Sequence, residues 1–297
     1  MGHGLYDEPV SPRPPHSHGE PARGRRAAGG GRQARGEGPH GRGYVPRQRG
    51  EPSARGERTR APYAGAAQGA RQEERASGKP GTGGGTGPGG LPRWVTEELA
   101  RVTPRVRVAE ATAHLEQAAV AFVAGRYGKA RHHAEEAKEL SPRLPTIREI
   151  LGLAAYRSGQ WGQALAELRT YRRLSGDTTH LPVEMDVLRA LERDADVETA
   201  YALLRRLGGS RASLDEGRVV YAAFLLDHDR AREAWELTRP ASLGADPSEG
   251  ELRVWYVACR AAVRLGERTI GRHLYQAIQE ADPGFPGLDE LDAALSS

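Results

Sequence analysis

The densest group of side chains able to do chemistry is His132–His133, with Glu135 and Glu136 close behind. Imidazoles and carboxylates hold transition metals or move protons. Neighbouring residues on a helix diverge by about 100°, so the two rings do not readily share one ion. The pair reads as a helix face rather than a metal centre. His114, His180, His228 and His273 are scattered without ligand spacing. Cys259 is the single cysteine, which excludes an internal disulfide, and it falls where a fifth helical repeat wants a small crossing residue, which favours packing over thiol reactivity. No Ser/His/Asp set or carboxylate pair stands out. Gly85–Thr86–Gly87–Pro88–Gly89–Gly90 fits G-x-G-x-x-G by letter, but no strand precedes it and Pro88 interrupts it. Gly78–Lys79 runs into Pro80, and Glu73 stands where a phosphate loop needs glycine. The expectation is no catalytic residue, no metal, no cofactor and no enzymatic activity.

What remains is recognition chemistry, carried by arginine. Residues 1–92 hold 15 Lys+Arg against 8 Asp+Glu, with Arg–Gly steps at Arg23–Gly24, Arg35–Gly36, Arg42–Gly43, Arg49–Gly50 and Arg55–Gly56. Arginine neutralises phosphate and stacks on bases while glycine keeps the backbone mobile, so the stretch is a candidate RNA-binding arm. The plainer reading is a solvated arginine-rich linker. Glycine and proline breakers are dense there and no apolar periodicity runs through it, which predicts a disordered tail. The overall charge of +4 therefore hides a basic tail on a slightly acidic body. The longest apolar run, Val219 to Leu226, is far short of a membrane span. Met1–Gly2–His3–Gly4–Leu5–Tyr6 lacks the basic start and apolar core of a secretory signal, and Tyr6 replaces the Ser or Thr that myristoylation favours. A cytoplasmic protein that does not enter the membrane is expected.

The elements that must position these groups follow a repeat. Gly125–Arg126–Tyr127–Gly128–Lys129–Ala130 recurs as Gly159–Gln160–Trp161–Gly162–Gln163–Ala164, a shift of 34 residues. That is the period of stacked helix–turn–helix units. Ala111, Leu115, Ala118, Ala119 and Phe122 form an apolar helical stripe before the first glycine, and Ala130, Ala134 and Ala137 one after it. Small residues let helices approach where they cross. The phase continues through Ala200, Ala234 and Gly271. The expected organisation is a capping helix at 93–103 anchored by Trp94, then repeats at about 106–142, 145–176, 181–208, 214–240 and 251–283. A last solvating helix is expected from Asp289 to Leu295. In repeat three the helices are expected at Pro182–Arg193 and Val197–Leu207, joined through Asp194–Ala195–Asp196.

Gly152, Gly159 and Ala164, with Gly125, Ala130, Ala137 and Pro142, resemble the tetratricopeptide repeat. The whole arrangement is similar to TPR-like proteins of high-GC actinobacteria. Gly176, where a closing proline would fall, and Tyr171, where a late alanine is usual, depart from the pattern. The resemblance implies an all-α fold, a right-handed α-solenoid of about five hairpins behind the tail. It also implies a scaffold or adaptor whose first helices line a concave groove for a protein or peptide. That geometry would place Phe122, Glu149, Leu153, Tyr156, Arg157, Arg189, Arg193, Tyr256, Arg260 and Arg264 in the groove. Its arginines would suit an acidic peptide or a C-terminal carboxylate; the plainer reading is ordinary solvated helix faces. Leu115 and Ala119 stand where a chaperone-tail clamp needs Lys and Asn, so no such clamp is expected.

Overall fold

The computed structural model describes residues 90–296, and the tail reading of residues 1–89 lies outside the described residues. Helix α1 spans Arg93–Val102, and a 3-10 turn follows at Arg105–Arg107. Ten helices then run in five pairs: α2 Val108–Val123 with α3 Tyr127–Leu140, and α4 Pro145–Arg157 with α5 Trp161–Ser175. Next come α6 Leu181–Ala190 with α7 Asp194–Leu207, and α8 Arg211–Asp227 with α9 Ala231–Thr238. The fifth pair is α10 Glu249–Arg264 with α11 Arg268–Ala281, and α12 Leu288–Ser296 closes the series. Among the described residues no helix is long and apolar enough to cross a membrane.

Local chemistry sets the helix starts. Pro145 opens α4, where its missing N–H costs nothing. At α10 a capping box forms: Ser248 Oγ accepts from the Glu251 amide at 3.3 Å, and the Glu251 carboxylate accepts from the Ser248 amide at 3.0 Å. Ser210 caps α8 by accepting from the Ser213 amide at 3.0 Å, which starts that helix at Arg211 rather than at Leu214. Asp194 and Asp196 are not a linker. They form the first turn of α7, where carboxylates face the positive end of the helix dipole.

The five pairs share one corner. A residue with positive φ ends each first helix: Gly125 (+71°), Gly159 (+71°), Glu192 (+56°), Asp229 (+58°) and Gly266 (+78°). The next amide reaches back five residues in every case. The N–H to O distances are 2.8 Å for Arg126 to Ala121 and Gln160 to Ala155. They are 2.9 Å for Arg193 to Leu188, Arg230 to Leu225 and Glu267 to Ala262. This is the Schellman closure of a helix C-terminus. The glycine signature fades in repeats three and four, yet the backbone turn persists on Glu192 and Asp229. Counting from these corners also corrects the phase: Val197, not Ala200, is the counterpart of Ala130 and Ala164. Val197, Ala200, Tyr201 and Leu204 are buried on α7, and Val197, Tyr201 and Leu204 take the places that Ala130, Ala134 and Ala137 hold on α3.

Packing follows chain order. Each helix meets its hairpin partner, and each second helix meets the next first helix. In the second hairpin the crossing is set by Gly152, where a Cβ would stand 2.8 Å from Leu168 Cδ2 and 3.2 Å from its backbone nitrogen. Val95 and Leu99 anchor α1, whereas Trp94 is 55% exposed and does not. Its indole sits on the solvent side because the buried positions of α1 fall four residues apart, at 95 and 99. Helix α12 is a packed cap rather than a solvating one: Leu288, Leu291 and Leu295 are buried, and it packs on α10 and α11.

Candidate partner-binding surface

The ten candidate residues sit on or just after the first helices, but their surroundings divide them into separate groups. Near the first corner, the Tyr127 ring meets Phe122 edge-on at 5.5 Å. The Arg157 guanidinium lies 4.7 Å over the same ring and donates to the Tyr127 hydroxyl. Helix α3 thus carries the aromatic that joins a residue of α2 to one of α4. Phe122 and Arg157 are both half-buried.

The middle group is a buried polar chain. Tyr156 donates from its hydroxyl to Asp186 Oδ2 at 2.7 Å. Arg189 pairs with Asp186 on its own helix and donates from Nε to Asp227 Oδ2 at 2.7 Å. The chain ties α4, α6 and α8 together, and Tyr156, Asp186 and Arg189 are all under 9% exposed. Burial, with the Asp186 charge and hydrogen bond behind it, pushes the Tyr156 hydroxyl well above its ordinary pKa. Burial also lifts Asp186 above the usual carboxylate range against the pull of Arg189. For Arg189, burial opposes the charge but Asp186 and Asp227 outweigh it, so its pKa rises. This tyrosine and this arginine are structural. They hold first helices to one another and do not line an open surface. Leu153 is likewise a core side chain, at 7% exposure. Glu149 is half-buried and accepts from His180 Nε2 at 2.7 Å, joining α4 to the start of α6.

The last group sits on α10. Tyr256 is buried and donates to Glu290 Oε2 of α12 at 3.2 Å; burial leads in pushing its hydroxyl up to about 12. Gly287 presses on that ring, where a Cβ would lie 2.7 Å from the hydroxyl oxygen. Arg260 stands 6.0 Å over the Tyr256 ring and is half-buried. Arg264 is exposed and reaches Asp229 of the fourth corner at 3.4 Å. Arg193 is exposed at the third corner, paired with Asp196. Of the ten residues, Leu153, Tyr156, Arg189 and Tyr256 therefore belong to the interior. Phe122, Glu149, Arg157, Arg193, Arg260 and Arg264 keep solvent-facing surface.

Sequence reasoning missed the partners. Asp186, Asp227, Tyr127 and Glu290 decide what the candidate residues do. One signal was present: Glu184 and Asp186 interrupt the otherwise apolar run Leu181–Leu188, and a helix apolar on every side is buried, so its acids need partners. Glu184 finds Arg172 at 2.9 and 3.2 Å. Elsewhere, Glu167 accepts from Arg148 at 2.7 Å and Lys138 at 3.1 Å, and Arg253 donates to Glu216 at 3.0 Å.

The folded arrangement adds His114 to the histidine pair. Its ring centroid lies 5.8 Å from that of His133, which is 5.3 Å from His132. Among the described residues, no group of three His, Cys, Asp or Glu is arranged to hold a metal ion. Cys259 is buried, its thiol donates to the Gly271 carbonyl at 3.3 Å, and burial pushes its pKa up to about 11. A thiol held neutral in this way is a packing group. Compared with known protein families and with curated proteins, the chain finds a match in neither.

Proposed function

We propose that the helical body is a non-enzymatic scaffold, a right-handed TPR-like solenoid whose first helices present a binding row to a protein or peptide. The observation that carries the reading is the five-fold recurrence of one corner, because stacked copies of one hairpin place equivalent side chains in register. The buried chain Tyr156–Asp186–Arg189–Asp227 supports it by fixing α4, α6 and α8 against one another, and a rigid row loses little freedom on binding. The recognising groups are the solvent-facing arginines Arg157, Arg193, Arg260 and Arg264. They favour an acidic segment or a C-terminal carboxylate.

The test is affinity capture from the native cell with the full chain, comparing wild type with Arg260→Glu/Arg264→Glu. Neither residue is part of the core, so the variant is expected to keep its helicity and lose the partner. Recovery of the same partners by the variant overturns the assignment of these arginines. Capture of RNA instead, lost above about 200 mM salt, transfers the function to the Arg–Gly steps of residues 1–92.

A further inference from the structure

Counted from the corners, two second helices end alike. Leu174 stands fifteen residues after Gly159, and Leu207 fifteen after Glu192. Each closes an Arg-Arg-Leu triplet, Arg172–Arg173–Leu174 at the end of α5 and Arg205–Arg206–Leu207 at the end of α7. The two ends meet, since Thr178 after α5 donates from Oγ1 to the Gly208 carbonyl after α7 at 2.7 Å. Leu174 is 41% exposed and Leu207 is 54% exposed. One hairpin earlier the same positions are Lys138, Glu139 and Leu140. There Lys138 is held by Glu167 at 3.1 Å, and Leu140 packs on the apolar cluster that includes Leu144 and Ile147. The exposed arginine–leucine edge is therefore confined to hairpins two and three.

Arg172 is tied to Glu184 at 2.9 and 3.2 Å. Arg173, Arg205 and Arg206 are exposed, and among the described residues no carboxylate pairs with them; Arg173 donates to the Thr170 hydroxyl at 3.4 Å. Asp177, in the loop after α5, is turned to its own neighbours: it accepts from the Thr179 amide at 2.9 Å and hydroxyl at 2.7 Å, and from the Tyr171 hydroxyl at 3.1 Å. Cations in a last turn complement the negative end of the helix, which accounts for the arginines but not for the leucines left in water beside them. Arginine next to exposed leucine is the chemistry that meets anionic headgroups and the apolar layer beneath. The shape points the same way. Peptides are mostly held in grooves or on sheet edges, whereas Gly176 and Gly208, which close the two helices with positive φ, have nothing within 4 Å of where a Cβ would stand. The ends project, and a projecting edge suits a planar, deformable partner. We propose that Arg173, Leu174, Arg205, Arg206 and Leu207 dock the body on an anionic lipid bilayer, with the guanidinium groups on headgroup phosphates and the leucines just below them. The contact lies on the bilayer without spanning it, and it uses none of the first-helix arginines assigned above to a protein partner.

The experiment is co-sedimentation of the full chain with vesicles of phosphatidylcholine alone or with about 30% phosphatidylserine. Wild type is expected to bind the mixed vesicles and not the neutral ones. Arg205→Gln/Arg206→Gln and Leu174→Ser/Leu207→Ser should each weaken that binding about ten-fold while circular dichroism stays unchanged, since all four side chains are exposed. The leucine pair carries the test, because the basic residues of 1–92 attract anionic vesicles equally in every variant. Val120→Ser/Val123→Ser, which removes exposed apolar surface on α2 instead, should leave binding unchanged. The proposal is overturned if the leucine variant binds as tightly as wild type, or if the α2 variant weakens binding as much. It is also overturned if wild type ignores the vesicles, and capture of an acidic, leucine-containing peptide through Arg205 and Arg206 in that case assigns the edge to a protein partner.

Discussion

At the residue scale, repeats three and four keep the turn with the wrong residue. Glu192 and Asp229 hold the left-handed conformation that Gly125, Gly159 and Gly266 adopt without a Cβ. Glu192→Gly is expected to raise the thermal midpoint by about 2–4 °C, corresponding to about 1 kcal/mol for a body of this size. Gly159→Ala should lower it by a similar amount. Asp229 should respond less than Glu192, because aspartate tolerates the conformation better. The histidine cluster makes a second prediction. His133 has its pKa lowered first by burial, then by His132 and His114. A histidine that binds its proton less readily folded than unfolded makes stability fall as pH drops below its unfolded pKa, about 6.5. Denaturant midpoints measured from pH 8 to pH 5 should therefore fall less in His133→Gln than in the wild type. Parallel curves for the two proteins would remove His133 as a source of the slope.

At the element scale, crossings and caps decide which substitutions the helices tolerate. A methyl at Gly152 meets both the side chain and the backbone of Leu168, and backbone cannot step aside. Gly152→Ala should destabilise by about 1–3 kcal/mol despite its better helix propensity. Gly162→Ala on the same hairpin has open space and should be neutral or mildly stabilising, so chemical denaturation of the pair isolates the crossing from propensity. Gly162 was legible in the sequence from the 34-residue recurrence, and Gly152 from the resemblance to the tetratricopeptide pattern. The corners of repeats three and four were not, since a positive φ is unexpected on Glu192 and only weakly signalled by the aspartate at 229. Nor was the fate of Tyr156 and Arg189. Their period placed them correctly on first helices, but whether such side chains face solvent depends on partners on the next first helix: Asp186 for Tyr156, and Asp227, with Asp186 on its own helix, for Arg189. Trp94 misled for a related reason: a large aromatic suggests an anchor, while the direction of its Cβ on a short helix points it away.

At the scale of the whole molecule, the core is unevenly divided. One apolar cluster runs from Leu153 through Leu295, and a smaller one joins Leu91, Val95, Leu99, Ala111, Leu115, Ala137, Leu144 and Ile147. Between them lie two small seams, Ala118–Ala134–Leu151 and Ala121–Ala130–Ala154. Alanines bury little apolar area, and burial stabilises by about 25 cal/mol per Å², so these seams add little to the hold that Leu144 and Ile147 of the smaller cluster give at the start of α4. In a structure whose elements contact mainly their neighbours, weak seams become boundaries of partial unfolding. Native-state hydrogen exchange should show α1, α2 and α3 opening together at a lower free energy than α6, α8 and α10. Leu151→Ala removes the largest side chain of the seams and should cost about 2–5 kcal/mol. Its sharpest effect should be on protection of residues 93–140, with little change in α8 and α10. Uniform loss of protection across all twelve helices would mean that the two clusters unfold as one unit and that the alanine seams are no boundary.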